Sequence, residues 1–358
     1  MNHINEAGNK KVEMDKFEVR YLQIDEYPLW DEFLHQAQGG NIYSSSQWLQ
    51  AVEKAFHIPV KIVAVFHEKI IIGGVGVVIR KIPLVGLWAG PPSVAAYNSI
   101  LVLPRDTNNL RRQETKWNTI IESICEFLEN EYQGIDLINH PTIHDIRPFQ
   151  WKGWKDKIYY TYLVDIQDSK EMWNSLYNAA RRHVRKCERE KVIVNKQGSA
   201  KNFYRLWEKT FHRQGTKTPI NEQELTCLFE EMGKGQKLVL YEAQKGEEVI
   251  SAIAALLDIN GAAHEWQAAT DPEFLNLGVF SFLMWSALED LSHQGFTQFD
   301  FDGAGIKSIA FSKNQFGGVL VPHYRVWKTN TMSENLLKMW NLSKKVGIAS
   351  YVRRYFHV

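Results

Sequence analysis

Apolar residues in the first half of the chain recur with two periods, one typical of helices and one typical of strands. A stripe at Leu49, Val52 and Phe56 follows three serines and predicts a helix with a serine N-cap. Two β-rich runs, 60–66 and 70–79, are joined by a short polar turn and predict a hairpin. The remaining predicted elements are a strand over 84–89, a helix over 117–128 and a strand over 135–138.

The second half repeats this order. The strongest turn signal is Asn260-Gly261, which is typical of a tight hairpin. Gln133-Gly134 and Gln294-Gly295 each end a predicted crossover helix just before a strand. The predicted helices cover 203–211, 225–232 and 280–291, and the predicted strands cover 237–243, 249–257, 262–269 and 296–301.

This repetition predicts two copies of one α/β unit, with 17–145 and 155–330 superimposing around one central cleft. The alternative is two unrelated mixed domains that share a common rhythm. We divide the chain into a disordered N-terminus over 1–16, an N-terminal domain over 17–145, a C-terminal domain over 146–330 and a helical tail over 331–358.

Charge and cysteine content narrow the class of protein. The chain has 358 residues and a net charge of +1, which excludes a generally basic coat for DNA but not a local basic patch. Cys125, Cys187 and Cys227 lack the spacing of a disulfide framework or a zinc site, and we predict no metal. Because no apolar leader or membrane-length segment is visible, we expect a cytoplasmic protein. The basic C-terminus, Arg353-Arg354 among aromatic residues, could touch a membrane surface or RNA, or could simply be a capping helix.

An antiparallel meander followed by a crossover helix and a parallel strand is the element order of the GNAT acyltransferases. Five segments of the second half, in this order, resemble the Fem-type peptidyltransferases and the related CelD/BioF-like acetyltransferases. These segments are RRHVRKCEREKVIV at 181–194, FYRLWEKTFHRQG at 203–215, VLYEAQKGEEVISAIAALL at 239–257, GVFSFLMWSALEDLSHQGF at 278–296, and FDFDGAG at 299–305 with SKNQFGG at 312–318. YSSSQW at 43–48 and AGPP at 89–92 extend a weaker resemblance into the first half.

The resemblance implies an α/β fold of tandem GNAT-like domains with mixed, mostly antiparallel sheets. It also implies an N-acyltransferase, in which an amine on a bulky acceptor, cell-envelope or polysaccharide-related, attacks an activated carbonyl. The implied donor is acetyl-CoA or another acyl-CoA. One alternative is an aminoacyl-tRNA-dependent ligase that modifies a peptidoglycan precursor, with tRNA as a partner. The other is a non-catalytic binding module with the same fold.

The predicted donor site is the start of the helix that begins near residue 279. A helix N-terminus favours the pyrophosphate of coenzyme A. We therefore expect Asn276, Leu277, Gly278 and Val279 to bind the cofactor. The preceding loop, DPEFLNLG at 271–278, has a single glycine, which limits the approach of backbone to phosphate. This departure from an ordinary acetyl-CoA loop leaves both donors open.

A basic stripe offers a second phosphate contact. Residues 173–191 are predicted to form one helix, with an apolar side that includes Tyr177 and a basic side that includes Arg182, Arg185 and Arg189. Arginine binds phosphate bidentately through its planar guanidinium, so Arg182 and Arg185 are predicted to bind substrate phosphate. The alternative is a solvated, purely structural face.

The predicted catalytic residues lie in FDFDGAG and just after it. Strand alternation places Phe299 and Phe301 in the core, and Asp300 and Asp302 on the other face. Two neighbouring carboxylates raise one another's pKa, which suits a base for an ammonium nucleophile. The alternative for these aspartates is a structural turn at the strand end.

Lys313 is implied by the resemblance to stabilise the charge that develops during transfer, with an ordinary surface lysine as the alternative. On the strand at 262–269, alternation places Glu265 and Gln267 on one face, and His264 and Trp266 on the other. We expect one of these pairs to face substrate, and Glu265, Trp266 and Gln267 are the candidates. A core tryptophan with a hydrogen-bonded histidine is the alternative.

Overall fold

The structure is a computed structural model that describes residues 17–83, 85–104, 110–213 and 215–330, without the side chains of 110–112. The predictions for 1–16, Leu84 and 331–358 fall outside these residues. Ten α-helices are described: α1 (Tyr27–Leu34), α2 (Ser46–Phe56), α3 (Leu110–Glu131), α4 (Arg147–Trp151), α5 (Ser169–Ser175), α6 (Asn178–Arg189), α7 (Ala200–Arg213), α8 (Glu222–Lys234), α9 (Val279–His293) and α10 (Lys307–Asn314).

The strands of the described residues form one 13-stranded sheet. They are β1 (Glu18–Tyr21), β2 (Val60–His67), β3 (Ile70–Ile82), β4 (Gly86–Gly90), β5 (Leu101–Val102), β6 (Gly134–Ile138), β7 (Lys155–Asp165), β8 (Ile193–Asn195), β9 (Leu238–Lys245), β10 (Glu248–Leu257), β11 (Ala262–Thr270), β12 (Gln298–Asp300) and β13 (Val319–Thr329). Their spatial order is β1-β2-β3-β4-β6-β13-β7-β12-β11-β10-β9-β8, and β5 pairs with β3.

The two outer parts of the sheet have the same topology. In β1-β2-β3-β4-β6, three antiparallel pairs are followed by the parallel pair β4–β6. In β8-β9-β10-β11-β12, three antiparallel pairs are again followed by a parallel pair, β11–β12. This architecture confirms the predicted fold class. The superposition of 17–145 on 155–330, and the domain boundaries, stay predictions.

The centre of the sheet consists of two strands that the hydrophobic pattern did not reveal. β7 and β13 pair with each other in antiparallel fashion, and each also pairs with the outer part nearer to it in the sheet. Pro322 lies within β13, and proline usually argues against an internal strand because it cannot donate to the ladder. Pairing of β13 with β6 begins only at Arg325, so Pro322 lies where one side of β13 is unpaired.

The hydrophobic core lies on both faces of the sheet. On one face, α3 packs over the N-terminal strands, and α6 and α9 pack over the C-terminal strands. On the other face, α1, α2, α7 and α8 share a continuous core that contains Trp30, Trp48 and Trp207. Helices of both halves therefore join the two parts of the sheet. Within the described residues, no helix combines the length and apolar character that a membrane span requires.

The prediction of one helix over 173–191 is wrong. The segment forms α5 and α6, with a break at Leu176, whose φ and ψ of −61° and 139° are extended. The amide of Tyr177 donates to the carbonyl of Gln315 at 2.9 Å instead of continuing α5. As a result, the Tyr177 side chain is 54% exposed instead of joining the apolar side that buries Ala180, Val184 and Cys187.

Candidate functional site

The parallel pair β11–β12 opens at its carboxyl end. Its last paired residues are His264 and Asp300; β12 ends there, whereas β11 continues to Thr270. This makes β12 shorter than the predicted strand over 296–301. A bulge in β11 adds to the divergence, because Glu265 and Gln267 face consecutive residues of β10. A gap therefore begins beyond His264 and Asp300.

The corresponding gap in the N-terminal half is filled by one side chain. Between β4 and β6, the Asn98 Oδ1 atom accepts the amide of Ile138 at 2.8 Å, and its Nδ2 atom donates to the carbonyl of Asp136 at 3.2 Å. Asn98 thus occupies the hydrogen-bonding positions that a neighbouring strand would use. In the C-terminal half no such side chain fills the opening between the described strands; it is instead flanked by His264, Glu265, Asp300 and Asp302, where the candidate site lies.

Asp300 is a buried acceptor at the point where the strands separate. Its Oδ2 atom accepts the hydroxyl of Tyr97 at 2.8 Å, and its Oδ1 atom accepts the hydroxyl of Thr161 at 2.6 Å. Its Oδ1 atom also accepts the amide of Asp302 at 2.8 Å. With three donors, Asp300 fixes the turn that places Asp302.

Asp302 has a left-handed backbone, with φ of 53°, which aspartate tolerates better than most residues. Its Oδ2 atom accepts the hydroxyl of Tyr43, and its Oδ1 atom lies 2.8 Å from the Nδ1 atom of His264. The Nε2 atom of His264 lies 3.4 Å from the Oδ2 atom of Asp258. Asp258, His264, Asp302 and Tyr43 therefore form one hydrogen-bonded chain.

Burial and charge shift the pKa values in this chain. Burial raises the pKa of Asp302 to about 6 and the nearby Asp300 adds to the rise, although His264 and the Tyr43 hydroxyl oppose it. Burial alone would lower the pKa of His264, but the carboxylates of Asp302, Asp258 and Asp300 raise it well above its ordinary value. The Asp302 carboxylate thus lies beside an imidazole whose protonated form is favoured, and its pKa of about 6 lies above the ordinary value for an aspartate.

Lys313 lies against the opposite face of β11. Neighbouring residues on a strand face opposite sides, so His264 meets Asp302 on one side and Glu265 meets Lys313 on the other. The Lys313 ammonium is 3.3 Å from the Oε2 atom of Glu265, and it donates to the carbonyls of Phe301 and Gly303. Lys313 is only 9% exposed, so the alternative of an ordinary surface lysine is wrong.

The pKa of the Glu265 carboxyl group is raised above its ordinary value. Burial raises its pKa to about 7, although Lys313 opposes this rise. Together, Lys313 and Glu265 bridge the two strands where backbone pairing has stopped. A carbonyl group that entered this gap would meet the ammonium from one side and the Asp302 turn from the other.

The other two candidates on β11 differ in role. Trp266 is 4% exposed, donates from its indole to the carbonyl of Val94 at 2.7 Å and packs edge-on against Trp48. It therefore belongs to the core, as the structural alternative proposed, and not to an open substrate surface. Gln267 is half-buried at the bulge, and its predicted contact with substrate stays a prediction.

Among the residues that the structure describes, one group of side chains has ligand atoms arranged closely enough for a cation. The ligand atoms of His264, Asp300 and Asp302 all lie within 4.8 Å of one another. The hydroxyls of Tyr43, Tyr97 and Thr161 already donate to these carboxylates, so a bound cation would have to displace them. We derive no step through a metal, and the prediction of metal-free chemistry stays a prediction.

The two predicted phosphate contacts adjoin each other. On α6, Lys186 donates to the carbonyl of Asn276 at 3.0 Å, and His183 lies 3.2 Å from the hydroxyl of Ser281 on α9. Arg182 and Arg185 are exposed beside this contact, and the Arg185 guanidinium lies 5.7 Å from the centre of the Trp173 ring. The basic helix and the start of α9 therefore share one surface.

The start of α9 itself is largely closed. Asn276 is exposed, but Leu277 and Val279 are buried beneath α6. A Cβ atom at Gly278 would lie 2.2 Å from the His183 ring, so even one methyl group does not fit there. A phosphate at this end would reach Asn276 and the α6 arginines before the buried backbone at Val279.

Gly278→Ala is expected to destabilise the protein more than Gly153→Ala. Both glycines have positive φ, 73° and 74°, but Gly153 has no atom near an added Cβ. Both variants incur the left-handed backbone cost of about 1 kcal/mol, and only Gly278→Ala also meets His183. Urea unfolding of the two variants measures the difference. Equal losses of unfolding free energy in the two variants would show that α6 moves aside and that the start of α9 is accessible.

Several residues of the site were missing from the sequence prediction. Tyr43 lies within the noted YSSSQW motif, but nothing in the pattern connected it to Asp302. His264 was considered only as one of a pair that could face substrate or lie in the core, with no link to Asp302, and Tyr97, Thr161 and Asp258 lacked any signal. Contacts between distant segments create this cluster, so local spacing could not reveal it.

Comparisons with known proteins agree with this architecture. Residues 174–307 match a family model described as an acetyltransferase (GNAT) domain. Among curated protein sequences, none matches the chain. The matched segment contains α6, β11, α9, β12 and the Asp302 turn, and it ends at the start of α10.

Solved structures extend the likeness to both halves. A crystal structure of FemX has a TM-score of 0.66 at 13% identity, covering 86% of this chain and 96% of that chain. L-PGS from Bacillus licheniformis has a TM-score of 0.52 at 11% identity, with coverage of 89% and 96%. A tandem GNAT protein from the clavulanic acid biosynthesis pathway has a TM-score of 0.51 at 10% identity, with coverage of 87% and 98%. Residues 174–307 therefore resemble an acetyltransferase (GNAT) domain, and the chain shares its overall fold with FemX.

Proposed function

We propose that this protein is an N-acyltransferase that transfers an acyl group from an activated carboxyl donor to an amine. The observation that carries the proposal is the gap between β11 and β12, flanked by Asp302 on one face and by Lys313 on the other. An acyl carbonyl in this gap would lie between a base and a buried cation. The GNAT domain match supports the same class of reaction.

Asp302 is the base that receives the proton of the attacking ammonium. Its pKa of about 6 leaves it ionised at neutral pH and still able to hold a proton transiently. The neutral amine then forms a C–N bond to the carbonyl carbon, and the C–S or C–O bond of the donor breaks. Asp302 holds the first proton and later releases it to solvent, while the second proton, which the nitrogen loses as the amide forms, passes to the sulfur or oxygen of the departing group.

Lys313 stabilises the negative oxygen of the tetrahedral intermediate. In the structure, two of its N–H donors are directed at the carbonyls of Phe301 and Gly303. An oxyanion is a stronger acceptor than either carbonyl and can replace one of them. Because the ammonium is already buried and held, little reorganisation accompanies the appearance of charge.

The first candidate donor is an acyl-CoA, with its phosphates at Asn276 and the α6 arginines. The second is an aminoacyl-tRNA, and the closed start of α9 favours it. A donor that presents phosphates to the exposed face of α6 does not need the amides near Val279. We propose that the acceptor is a bulky, amine-bearing molecule related to the cell envelope or to a polysaccharide.

A donor panel tests this function. The full chain is incubated with acetyl-CoA, longer acyl-CoAs and charged tRNAs, each with primary amine acceptors, and new amides are detected by mass spectrometry. Thermal shift with the same donors measures binding, since a donor at about 100 Kd adds ~2.7 kcal/mol of stability. Binding without amide formation would favour the non-catalytic binding module.

Arg182→Ala/Arg185→Ala is expected to weaken the binding of a phosphate-bearing donor without unfolding the protein. Each charge-assisted hydrogen bond contributes about 1.5–3 kcal/mol, whereas the apolar side of α6 is untouched. Titration at rising salt concentration measures the effect, because phosphate contacts weaken with salt.

Lys201→Ala/Lys217→Ala is the matched control for the arginine pair. It removes the same charge from exposed positions outside α6 and should leave donor affinity unchanged. An unchanged affinity in the arginine variant would leave only the solvated-face interpretation of Arg182 and Arg185.

A further inference from the structure

The candidate base is held by a residue of the other half of the chain. Asp302 lies after β12, whereas Tyr43 lies in the short 3-10 turn Ile42–Ser44 that precedes α2. The sequence separation between them is 259 residues, yet the Tyr43 hydroxyl donates to the Oδ2 atom of Asp302. The carboxylate of Asp302 thus has one oxygen on His264 and the other on Tyr43.

Tyr43 is itself fixed from several directions. The Asn41 side chain accepts the amide of Tyr43 at 3.0 Å, which fixes the backbone of the turn. The Tyr43 ring is 1% exposed and packs edge-on against Trp48 and His264, with ring centroids at 5.2 and 5.4 Å. A ring held in this way directs its hydroxyl to one place.

We infer that Tyr43 is a positioning residue for Asp302, so that the working site is completed by the N-terminal half. The inference rests on the proposed function and adds a residue to it. Without the hydroxyl, the buried Oδ2 atom would lose its donor, and the carboxylate would be free to rotate away from His264. The Tyr97 hydroxyl, which also comes from the N-terminal half, likewise donates to the carboxylate of Asp300, the last residue of β12.

The electrostatic consequence can be observed at His264. The groups that face its ring are Asp258 on its own hairpin, Asp300 and Asp302 after β12, and Tyr43, Tyr97 and His140 from the N-terminal half. The Tyr43 hydroxyl holds the pKa of Asp302 down, because a donated hydrogen bond favours the carboxylate. Its removal should raise the pKa of Asp302 and let the carboxylate rotate away from the Nδ1 atom of His264, which would lower the pKa of His264.

The test is a titration of His264 in the full chain, labelled with ¹⁵N-histidine and assigned through a His264→Asn variant. In Tyr43→Phe, the midpoint of His264 should fall by about one pH unit or more, which is the scale of a lost neighbouring charge. A merely structural role would lower thermal stability and leave this midpoint unchanged, and that result would overturn the inference.

Tyr241→Phe is the matched control. The Tyr241 hydroxyl donates to the Oδ2 atom of Asp290 at 2.8 Å, and its ring is likewise buried, but this pair joins β9 to α9 away from His264. Its loss should leave the His264 midpoint in place. If Tyr43→Phe does not fold, Tyr43→3-fluorotyrosine keeps the hydroxyl as a stronger donor and should lower the pKa of Asp302, seen as a downward shift of the low-pH step in the His264 signals. An unchanged low-pH step would overturn the inference as well.

Kinetics separate this inference from the proposed function. With an active donor pair, Tyr43→Phe should lower kcat and shift the acid limb of the pH profile upward while the KM of the acceptor stays constant. An unmoved acid limb would contradict the positioning role. If no donor yields an amide but the His264 midpoint falls in Tyr43→Phe, the result supports the positioning of Asp302 by Tyr43 and contradicts the proposed acyl transfer.

Discussion

Asp302→Asn is expected to lower the turnover of amine acylation by about 10²–10⁴-fold, the usual loss when a general base is removed. Asparagine has nearly the same shape and tolerates the left-handed backbone at this position, where φ is 53°. The loss should therefore appear in kcat, with little change in the binding of the donor. Steady-state and single-turnover rates measure it.

The pH dependence gives an independent signature of the same base. Asp302 must be ionised to accept a proton, so the activity of the wild-type protein should fall as the pH drops below about 6. The apparent pKa that this acid limb reports belongs to the coupled Asp302–His264 pair and not to Asp302 alone. In Asp302→Asn, the residual activity should lack this limb, since no carboxylate remains at that position to be protonated.

Asp290→Asn is the matched control for this change. Asp290 also accepts a tyrosine hydroxyl and pairs with a lysine, but it lies on α9 away from the gap. Its variant should keep both the turnover and the pH profile. Asp302→Asn with wild-type turnover would contradict the assignment and return Asp302 to a structural turn.

The sequence was informative where local pattern and structure coincide. Alternation in FDFDGAG placed Phe299 and Phe301 in the core, and both are fully buried. It also placed Asp300 and Asp302 together on the other face, where they share a hydrogen bond. The Asn260-Gly261 hairpin and the helix before Gln294-Gly295 were likewise predicted, because turn chemistry and helical periodicity are local properties.

The rest depends on contacts between distant segments. β7 and β13 were missed because their exposed apolar residues and Pro322 obscure strand alternation, and each is stabilised by pairing across the halves. The break between α5 and α6 follows from a hydrogen bond to Gln315, which lies 138 residues beyond Tyr177. Tyr43 reaches Asp302 only because both halves bury their polar residues against one another.

Lys313→Met is expected to lower the catalytic rate by about 10²–10³-fold while the affinity for the donor stays nearly constant. Lys313 is proposed to meet charge that exists only in the transition state, and the loss of one such donor has this scale. Pre-steady-state kinetics with a separate binding titration distinguish the two quantities. If Lys313 instead holds a donor phosphate, the affinity should fall and the rate constant for chemistry should persist.

Lys313→Met should also lower the stability of the protein, because Lys313 is buried and bonded within the fold. Its removal leaves Glu265 and the carbonyls of Phe301 and Gly303 without their cation, and each unpaired buried group costs about 1–3 kcal/mol. Without Lys313, the pKa of Glu265 should rise further, because the lysine opposes the effect of burial. Lys313→Met/Glu265→Gln removes the charge of both partners and should recover part of the stability.

Recovered stability without recovered activity would separate the chemical role of Lys313 from its structural one. Lys328→Met supplies the remote control: Lys328 also donates to one carboxylate and one carbonyl, those of Glu129 and Lys152, and its loss should affect stability alone. If the double variant is stable and transfers acyl groups at the wild-type rate, Lys313 only bridges the gap between β11 and β12. The oxyanion would then be stabilised by backbone amides along the unpaired part of β11, with Asp302 as the remaining catalytic group.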